Sequence, residues 1–285
     1  MRRREALAVL TGVRAFGSSA EVRSLGPYMG EASGAAVLVD VPTRRLIAVH
    51  GEAMAGCFLA PPGSTLKALV LSALLRSGKL TSNFSLPCPG QLRIGGRSFT
   101  CSHPVLGMPI RVDTALAYSC NCFVAHAAAR FAAGELAREL TAVGLASRTG
   151  LIGDAEAGGR IQPASAPDAI RLQSLGEAGV LVTTAGLAMA YRRIALAQMT
   201  PIIAGLEGAI EFGTARAGRV EGADIAGKTG SVRTADGARI AWFAGFMPAR
   251  DARSAIAVMV AGRSGGADAA PIAGRILDAY RKRRI

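Results

Sequence analysis

Ser64 and Lys67, set three residues apart in Pro62-Gly63-Ser64-Thr65-Leu66-Lys67, pair a nucleophile with a base. On a helix that spacing stacks both side chains on one face, with Cβ atoms roughly 5–6 Å apart. A serine hydroxyl is a weak nucleophile at neutral pH and needs a neighbour to take its proton. Lysine can do so only as the neutral amine, a form favoured by burial and by nearby positive charge. Ala68-Leu69-Val70-Leu71-Ser72-Ala73-Leu74-Leu75 predicts such burial by continuing an apolar helix. Pro61, Pro62 and Gly63 predict a turn entering that helix at its N-terminus, where free N–H groups can face a developing oxyanion.

Lysine usage sharpens the reading. Of 33 basic residues only Lys67, Lys79, Lys228 and Lys282 are lysine, so surface charge is supplied by arginine. Arginine cannot give up its proton in a protein, and a site that needs a neutral amine must keep lysine.

Two later tripeptides complete the set. In Ser119-Cys120-Asn121 a second hydroxyl can pass a proton between Lys67, Lys228 and a leaving amine. The Asn121 amide, with donors and an acceptor, can hold both Lys67 and a substrate amide. Ser119 equally suits the N-cap of a helix from Phe123 to Phe131. Lys228-Thr229-Gly230, in Ile225-Ala226-Gly227-Lys228-Thr229-Gly230-Ser231-Val232, reads as a strand with glycines on both sides of the Lys-Thr pair. Glycine inside a strand often marks the close approach of a ligand or another backbone. An extended ligand could add along that edge, its carboxylate gripped by Lys228 and Thr229. Gly-Lys-Thr also suits a phosphate loop, but such a loop opens a helix, and here the strand pattern continues.

The three motifs, in this order, resemble the serine acyl-transferases that react with penicillin: transpeptidases, D,D-carboxypeptidases and serine β-lactamases. Pro-Pro-Gly-Ser-Thr-x-Lys is closest to the transpeptidase domains of the larger penicillin-binding proteins. Ala35 to His50 is similar to their opening strand pair, Gly176 to Tyr191 to the stretch before their last strands, and Ala241 to Pro248 to their fourth strand. The likeness runs from about residue 34 to 280. It implies Ser64 as acylated nucleophile, Lys67 as its base and Ser119 as proton shuttle. Asn121 would position Lys67 and the substrate amide, Lys228 and Thr229 would bind a carboxylate, and Gly230 and Ser231 would also bind substrate. The oxyanion hole would be formed by the backbone N–H groups of Ser64 and Ser231. Leu175-Gly176-Glu177-Ala178-Gly179 and Thr183-Thr184-Ala185 depart from the usual glutamine and proline positions, and Ser231 stands where threonine is common.

The elements that must position these residues are legible in outline. Residues 35–40 and 45–49 read as two strands joined by a turn. Ser64 to about Gln198 is mostly helical in period, interrupted by a Pro/Gly/Cys-rich excursion from Pro87 to Pro109. Strands follow around 225–233, 239–247 and 254–261, then a helix from Ala269 to Arg281. The expected architecture is α/β of the α+β type. It has an antiparallel five-stranded sheet built from both termini and flanked by helices, with a helical lobe over about 64–200. Residues 27–285 would form this domain, behind a basic leader over 1–26.

Composition sets outer bounds. At 285 residues, half of them apolar and 19% charged, the chain can bury a full core and is not disordered. A net charge of +13 favours anionic surfaces such as membrane lipid or wall polymer. Basic and aromatic residues do not interleave as in nucleic-acid binders, and nucleic acid is not expected as a partner. Cys88 and Cys101 bracket the excursion and could close a disulfide loop. Cys57, Cys120 and Cys122 read as free and buried, and Cys120-Asn-Cys122 lacks a second ligand pair for zinc, so neither metal nor cofactor is expected. His50, His103 and His126 read as structural. Gly262-Arg263-Ser264-Gly265-Gly266 has the spacing of a nucleophile elbow, but no histidine follows Ser264 to complete a triad. Arg2-Arg3-Arg4, the apolar stretch Ala6 to Val13 and Ser18-Ser19-Ala20 resemble an export signal, which places the domain in the periplasm or cell envelope.

The expected function is acyl transfer on peptidoglycan stem peptides ending in D-Ala-D-Ala, by a transpeptidase or carboxypeptidase that β-lactams would also acylate. A membrane glycosyltransferase is a further expected partner. Two other readings remain open here: a serine β-lactamase, although no Glu-x-x-Leu-Asn element is present, and a non-catalytic penicillin-binding sensor or scaffold.

Overall fold

A computed structural model describes residues 22–234 and 236–285; the arginine-rich start of the expected leader, residues 1–21, lies outside the described residues. The chain enters through β1 (Arg23–Ser24) and the single turn α1 (Gly26–Met29), then forms β2 (Gly34–Asp40) and β3 (Leu46–His50). A helical lobe follows: α2 (Glu52–Cys57), α3 (Leu66–Arg76), β4 (Gln91–Ile94), β5 (Arg97–Thr100), α4 (Val112–Ala117), α5 (Asn121–Ala128) and α6 (Glu135–Ala142). It continues through β6 (Arg160–Ile161), α7 (Pro167–Ser174), β7 (Val180–Leu181), α8 (Thr184–Ala197) and α9 (Thr200–Glu211). The chain returns with β8 (Ala226–Arg233), β9 (Arg239–Met247) and β10 (Ser254–Ala261), and α10 (Ala270–Arg281) follows.

The main sheet has the order β1-β3-β2-β10-β9-β8, so its strands come from both ends of the sequence with the lobe inserted between them. It has six strands rather than the five expected, and it is not wholly antiparallel. β1 pairs in parallel with β3 over Arg23↔Ala48 and Ser24↔Val49, and two residues carry no readable period. The other pairings are antiparallel, for example Ile256↔Leu38 and Ile256↔Gly245.

Alternation explains why β2, β9 and β10 read as unbroken apolar runs. Ala35, Val37 and Val39 join one core with Trp242, Ala244, Phe246, Ala255, Ala257 and Met259, while Ala36 and Leu38 join a second with Phe243, Ile256 and Val258. The first core is shared with the helical lobe; the second is covered by Ile272, Ile276 and Leu277 of α10. A sheet covered on both faces has no polar side to alternate with.

The excursion over 87–109 holds β4 and β5, a short hairpin that its Pro/Gly/Cys-rich composition concealed. Its turn is Gly95-Gly96, with φ of 52° and 78°, the left-handed pair that a tight two-residue hairpin demands. The Gly-Gly dipeptide was the available signal. Cys57 is exposed, not buried, and Cys88 and Cys101 are both free thiols, with sulfurs 3.7 Å apart.

Candidate active site

Ser64 sits in a 3₁₀ turn, Gly63–Thr65, that runs directly into α3. Spacing of three eclipses side chains in a 3₁₀ turn, so the tighter geometry keeps Ser64 and Lys67 on one side. Contacts from distant elements hold the turn. The Trp242 indole of β9 donates to the Pro61 carbonyl at 2.9 Å, and the Tyr191 hydroxyl of α8 donates to the Thr65 carbonyl at 2.7 Å. The Gly63 amide donates to the Gly176 carbonyl at 3.2 Å. Gly176 has φ of +72°, and a Cβ there would lie 2.2 Å from the Gly63 carbonyl oxygen.

Gly176→Ala therefore meets both left-handed strain and a backbone collision next to Ser64. We expect a stability loss of roughly 1–3 kcal/mol from backbone strain, with the collision adding to it. Urea unfolding checks the loss, and an unchanged midpoint would show that the two segments separate freely.

Lys67 is fully buried, and its amine donates to Asn121 Oδ1 at 2.5 Å, Ser119 O at 2.7 Å and Ser119 Oγ at 3.2 Å. Burial lowers its pKa from 10.5 to about 8, against an opposite pull from Cys120 and Cys101. Among the described residues Ser64 Oγ has no hydrogen-bond partner, and the Lys67 amine is held by Ser119 and Asn121 rather than by Ser64.

The Ser119–Asn121 turn follows from how two helices meet. Ser119 has φ of +57°, its amide donates to Leu116 O, and the Cys120 amide donates to Ala115 O. That is the Schellman ending of α4, with serine in the left-handed position usually given to glycine. Cys120, not Ser119, then caps α5, its sulfur accepting the Phe123 amide at 3.4 Å. Asn121 begins that helix, and its amide nitrogen donates to the Thr100 carbonyl at 3.1 Å, which turns Oδ1 toward Lys67.

β8 forms the far edge of the sheet and leaves one side of its backbone unpaired by other strands. It packs directly on the Ser64 turn. A Cβ on Gly230 would lie 2.7 Å from the Pro62 carbonyl oxygen, which is why the third position of Lys-Thr-Gly is glycine. The Ser231 amide nitrogen lies 3.5 Å from the point a Cβ on Gly63 would occupy, which puts Ser231 against the Ser64 turn. Lys228 is fully buried, and its amine donates to the Thr229 carbonyl at 3.1 Å. Burial first, then the charge of Lys67, holds its pKa well below the usual lysine value. Gly222 and Gly227-Lys228-Thr229 have phosphate-loop spacing, yet the segment runs into β8 with no helix behind it.

A cleft of about 320 Å³ brings together Ser64, Ser119, Asn121, Thr229, Gly230 and Ser231. Lys67 and Lys228 stay buried outside its lining, so Thr229 rather than Lys228 meets the open space. Ser102, Thr214, Ser264 and Gly266 also line it, and sequence reasoning missed them. Thr214 Oγ1 accepts from Thr229 Oγ1 at 3.0 Å, and the Gly265 amide donates to Ser231 Oγ at 2.9 Å. The segment Gly262–Gly266, dismissed as an elbow, thus braces β8 through backbone contacts. The arrangement offers a hydroxyl, a lowered amine, a second hydroxyl and an open strand edge, which together suit acyl transfer to serine.

No curated protein matches the chain in sequence. Among solved structures, the PBP2 of Pseudomonas aeruginosa in complex with WCK 5153 aligns with a TM-score of 0.80 at 20% identity, over 90% of this chain and 75% of that one. The transpeptidase domain of Burkholderia pseudomallei penicillin-binding protein 3 aligns at 0.79 and 21% identity, over 90% of both chains. A peptidoglycan glycosyltransferase from Burkholderia ambifaria aligns at 0.78 and 23% identity, over 91% of this chain and 92% of that one. At these identities the likeness speaks to the fold. The model of the penicillin binding protein transpeptidase domain matches residues 34–208 and 205–278, nearly the whole chain. The chain therefore belongs to the penicillin binding protein transpeptidase domain family.

Proposed function

We propose that the chain is a penicillin-binding serine acyl-transferase that acts on peptidoglycan stem peptides ending in D-Ala-D-Ala, as a transpeptidase or carboxypeptidase. The observation that carries this reading is the buried Lys67 amine, held by Ser119 and Asn121 at 2.5–3.2 Å and lowered to about 8. A lysine whose pKa is lowered toward neutrality, three residues after a serine in a helical turn, is the kind of base that nucleophile activation near physiological pH requires.

In the proposed reaction the stem peptide lies along β8, its terminal carboxylate on the Thr229 hydroxyl, with Lys228 buried behind it. A carboxylate on Thr229 would favour the charged form of Lys228, which burial disfavours in the free protein. Ser64 Oγ bonds to the penultimate carbonyl carbon as its proton passes to Lys67. The Ser64 and Ser231 amides receive the oxyanion. Collapse breaks the peptide bond, and the departing D-Ala amine takes a proton relayed through Ser119. The acyl group then leaves Ser64 for an amine acceptor or for water. Such substrates lie outside the cytoplasm, which favours an extracytoplasmic location for this domain.

The test is intact-mass analysis of the wild-type protein with a penicillin over time, beside D-Ala release from a stem pentapeptide. A stable adduct with D-Ala release is the expected result. A transient adduct with rapid antibiotic loss would mean a β-lactamase, and a stable adduct without D-Ala release would mean a sensor. No adduct at all on folded protein would remove Ser64 as a working nucleophile.

A further inference from the structure

Four of the five cysteines converge beside the Ser119–Asn121 turn, although they are scattered through the sequence. Cys88 precedes β4, Cys101 follows β5, and Cys120 and Cys122 flank Asn121. The sulfurs of Cys88, Cys101 and Cys120 form a triangle with sides of 3.7, 3.8 and 3.5 Å. Thiolates bound to zinc at about 2.3 Å in a tetrahedron stand roughly 3.8 Å from one another, so this triangle has the dimensions of one tetrahedral face. A disulfide would instead need one pair at about 2.05 Å.

His103 supplies the fourth corner. Its ligand nitrogen and the three sulfurs all lie within 4.8 Å of one another. His103 Nδ1 lies 2.8 Å from the Pro104 carbonyl, a contact that requires the proton on Nδ1 and leaves a lone pair on Nε2. Nε2 is buried and has no partner. A backbone carbonyl on one ring nitrogen is the usual orienting contact of a zinc-bound histidine.

We propose that Cys88, Cys101, Cys120 and His103 Nε2 form a tetrahedral zinc site that staples the β4–β5 hairpin to the Ser119–Asn121 turn. The soft three-sulfur, one-imidazole set favours zinc over magnesium or calcium. Binding displaces the three thiol protons to solvent and changes no oxidation state. Closure by four protein ligands leaves no open position, so the ion is structural. Its consequence is local: Cys120 lies between the two residues that hold Lys67, and the hairpin it joins supplies Thr100, which orients Asn121. Cys122, with its sulfur 3.5 Å from Cys101, stays a thiol in contact with a ligand. This site does not depend on the acyl-transfer reading.

The experiment is metal analysis of the full chain purified without chelator, followed by replacement with cobalt. One zinc per chain that survives dialysis is expected, and the cobalt form should show sulfur-to-metal charge transfer with tetrahedral ligand-field bands. Cys101→Ser and Cys120→Ser should lose the ion, His103→Ala should weaken it at least about tenfold, and Cys57→Ser and Cys122→Ser should keep it. The cobalt spectrum of the unmutated chain stands even where a variant misfolds. Protein that takes up neither metal, with a disulfide recovered among Cys88, Cys101 and Cys120, overturns the proposal in favour of a redox pair. Zinc that persists in both Cys101→Ser and Cys120→Ser overturns it as well.

Discussion

Lys67→Arg slows acylation of the protein by a penicillin about 10²–10⁴-fold, the range that one general base contributes, and Ser64→Ala abolishes the covalent adduct. Arginine keeps the positive charge but never presents a neutral nitrogen, so the loss isolates proton acceptance from electrostatics. Lys67→Met, close in length and uncharged, is the folding control for a fully buried position. Wild-type acylation should also depend on pH with a definite sign. The active form is the neutral amine, so the rate rises with pH through about 8 and levels off above it. Below that point it falls tenfold per pH unit. Lys228 is buried nearby and interacts with Lys67, so the apparent midpoint belongs to the pair. Stopped-flow acylation across pH reads this directly; a profile flat through that region would assign proton removal to another group.

Trp242→Ala should be the most destabilising single change near the site, costing about 3–5 kcal/mol. Trp242 is the largest fully buried side chain, on a central strand, and no neighbouring group can refill its volume without moving the sheet. Trp242→Phe separates packing from hydrogen bonding. It keeps most of the apolar contact but strands the Pro61 carbonyl, at a cost of about 1–3 kcal/mol. That carbonyl lies three residues before Ser64, so the Phe variant should also acylate more slowly while folded. Equilibrium urea unfolding and adduct formation on the same samples check both effects. Equal acylation in Trp242→Phe and wild type would mean that Tyr191 and Gly176 alone hold the turn.

Local features were legible because local physics decides them. A spacing of three places Ser64 and Lys67 on one side whether the turn is 3₁₀ or α, so the pair was readable without knowing which. Long apolar runs gave away β2, β9 and β10, and the glycine-flanked Lys-Thr pair gave away β8, to within a residue or two. The retention of lysine at 67 and 228 in an arginine-rich chain pointed to the two buried amines. Short elements escaped: β1 has two residues, and the β4–β5 hairpin announced itself only by Gly95-Gly96. Ser119 looked like an N-cap because serine usually is one. The Schellman ending of α4 moved that role to Cys120 and left Ser119 in the left-handed region.

By itself the sequence determined the chemical inventory, the order of the motifs and the strands that must meet, since residue identity and period are properties of short segments. Tertiary structure alone decided which groups the buried Lys67 amine meets, at residues 52 and 54 positions away. It also decided that Thr214 and Ser264 join the cleft, and that Cys88 reaches Cys120 across 32 positions. Burial and encounter at such separations depend on how every element packs at once, and no window of sequence carries that sum.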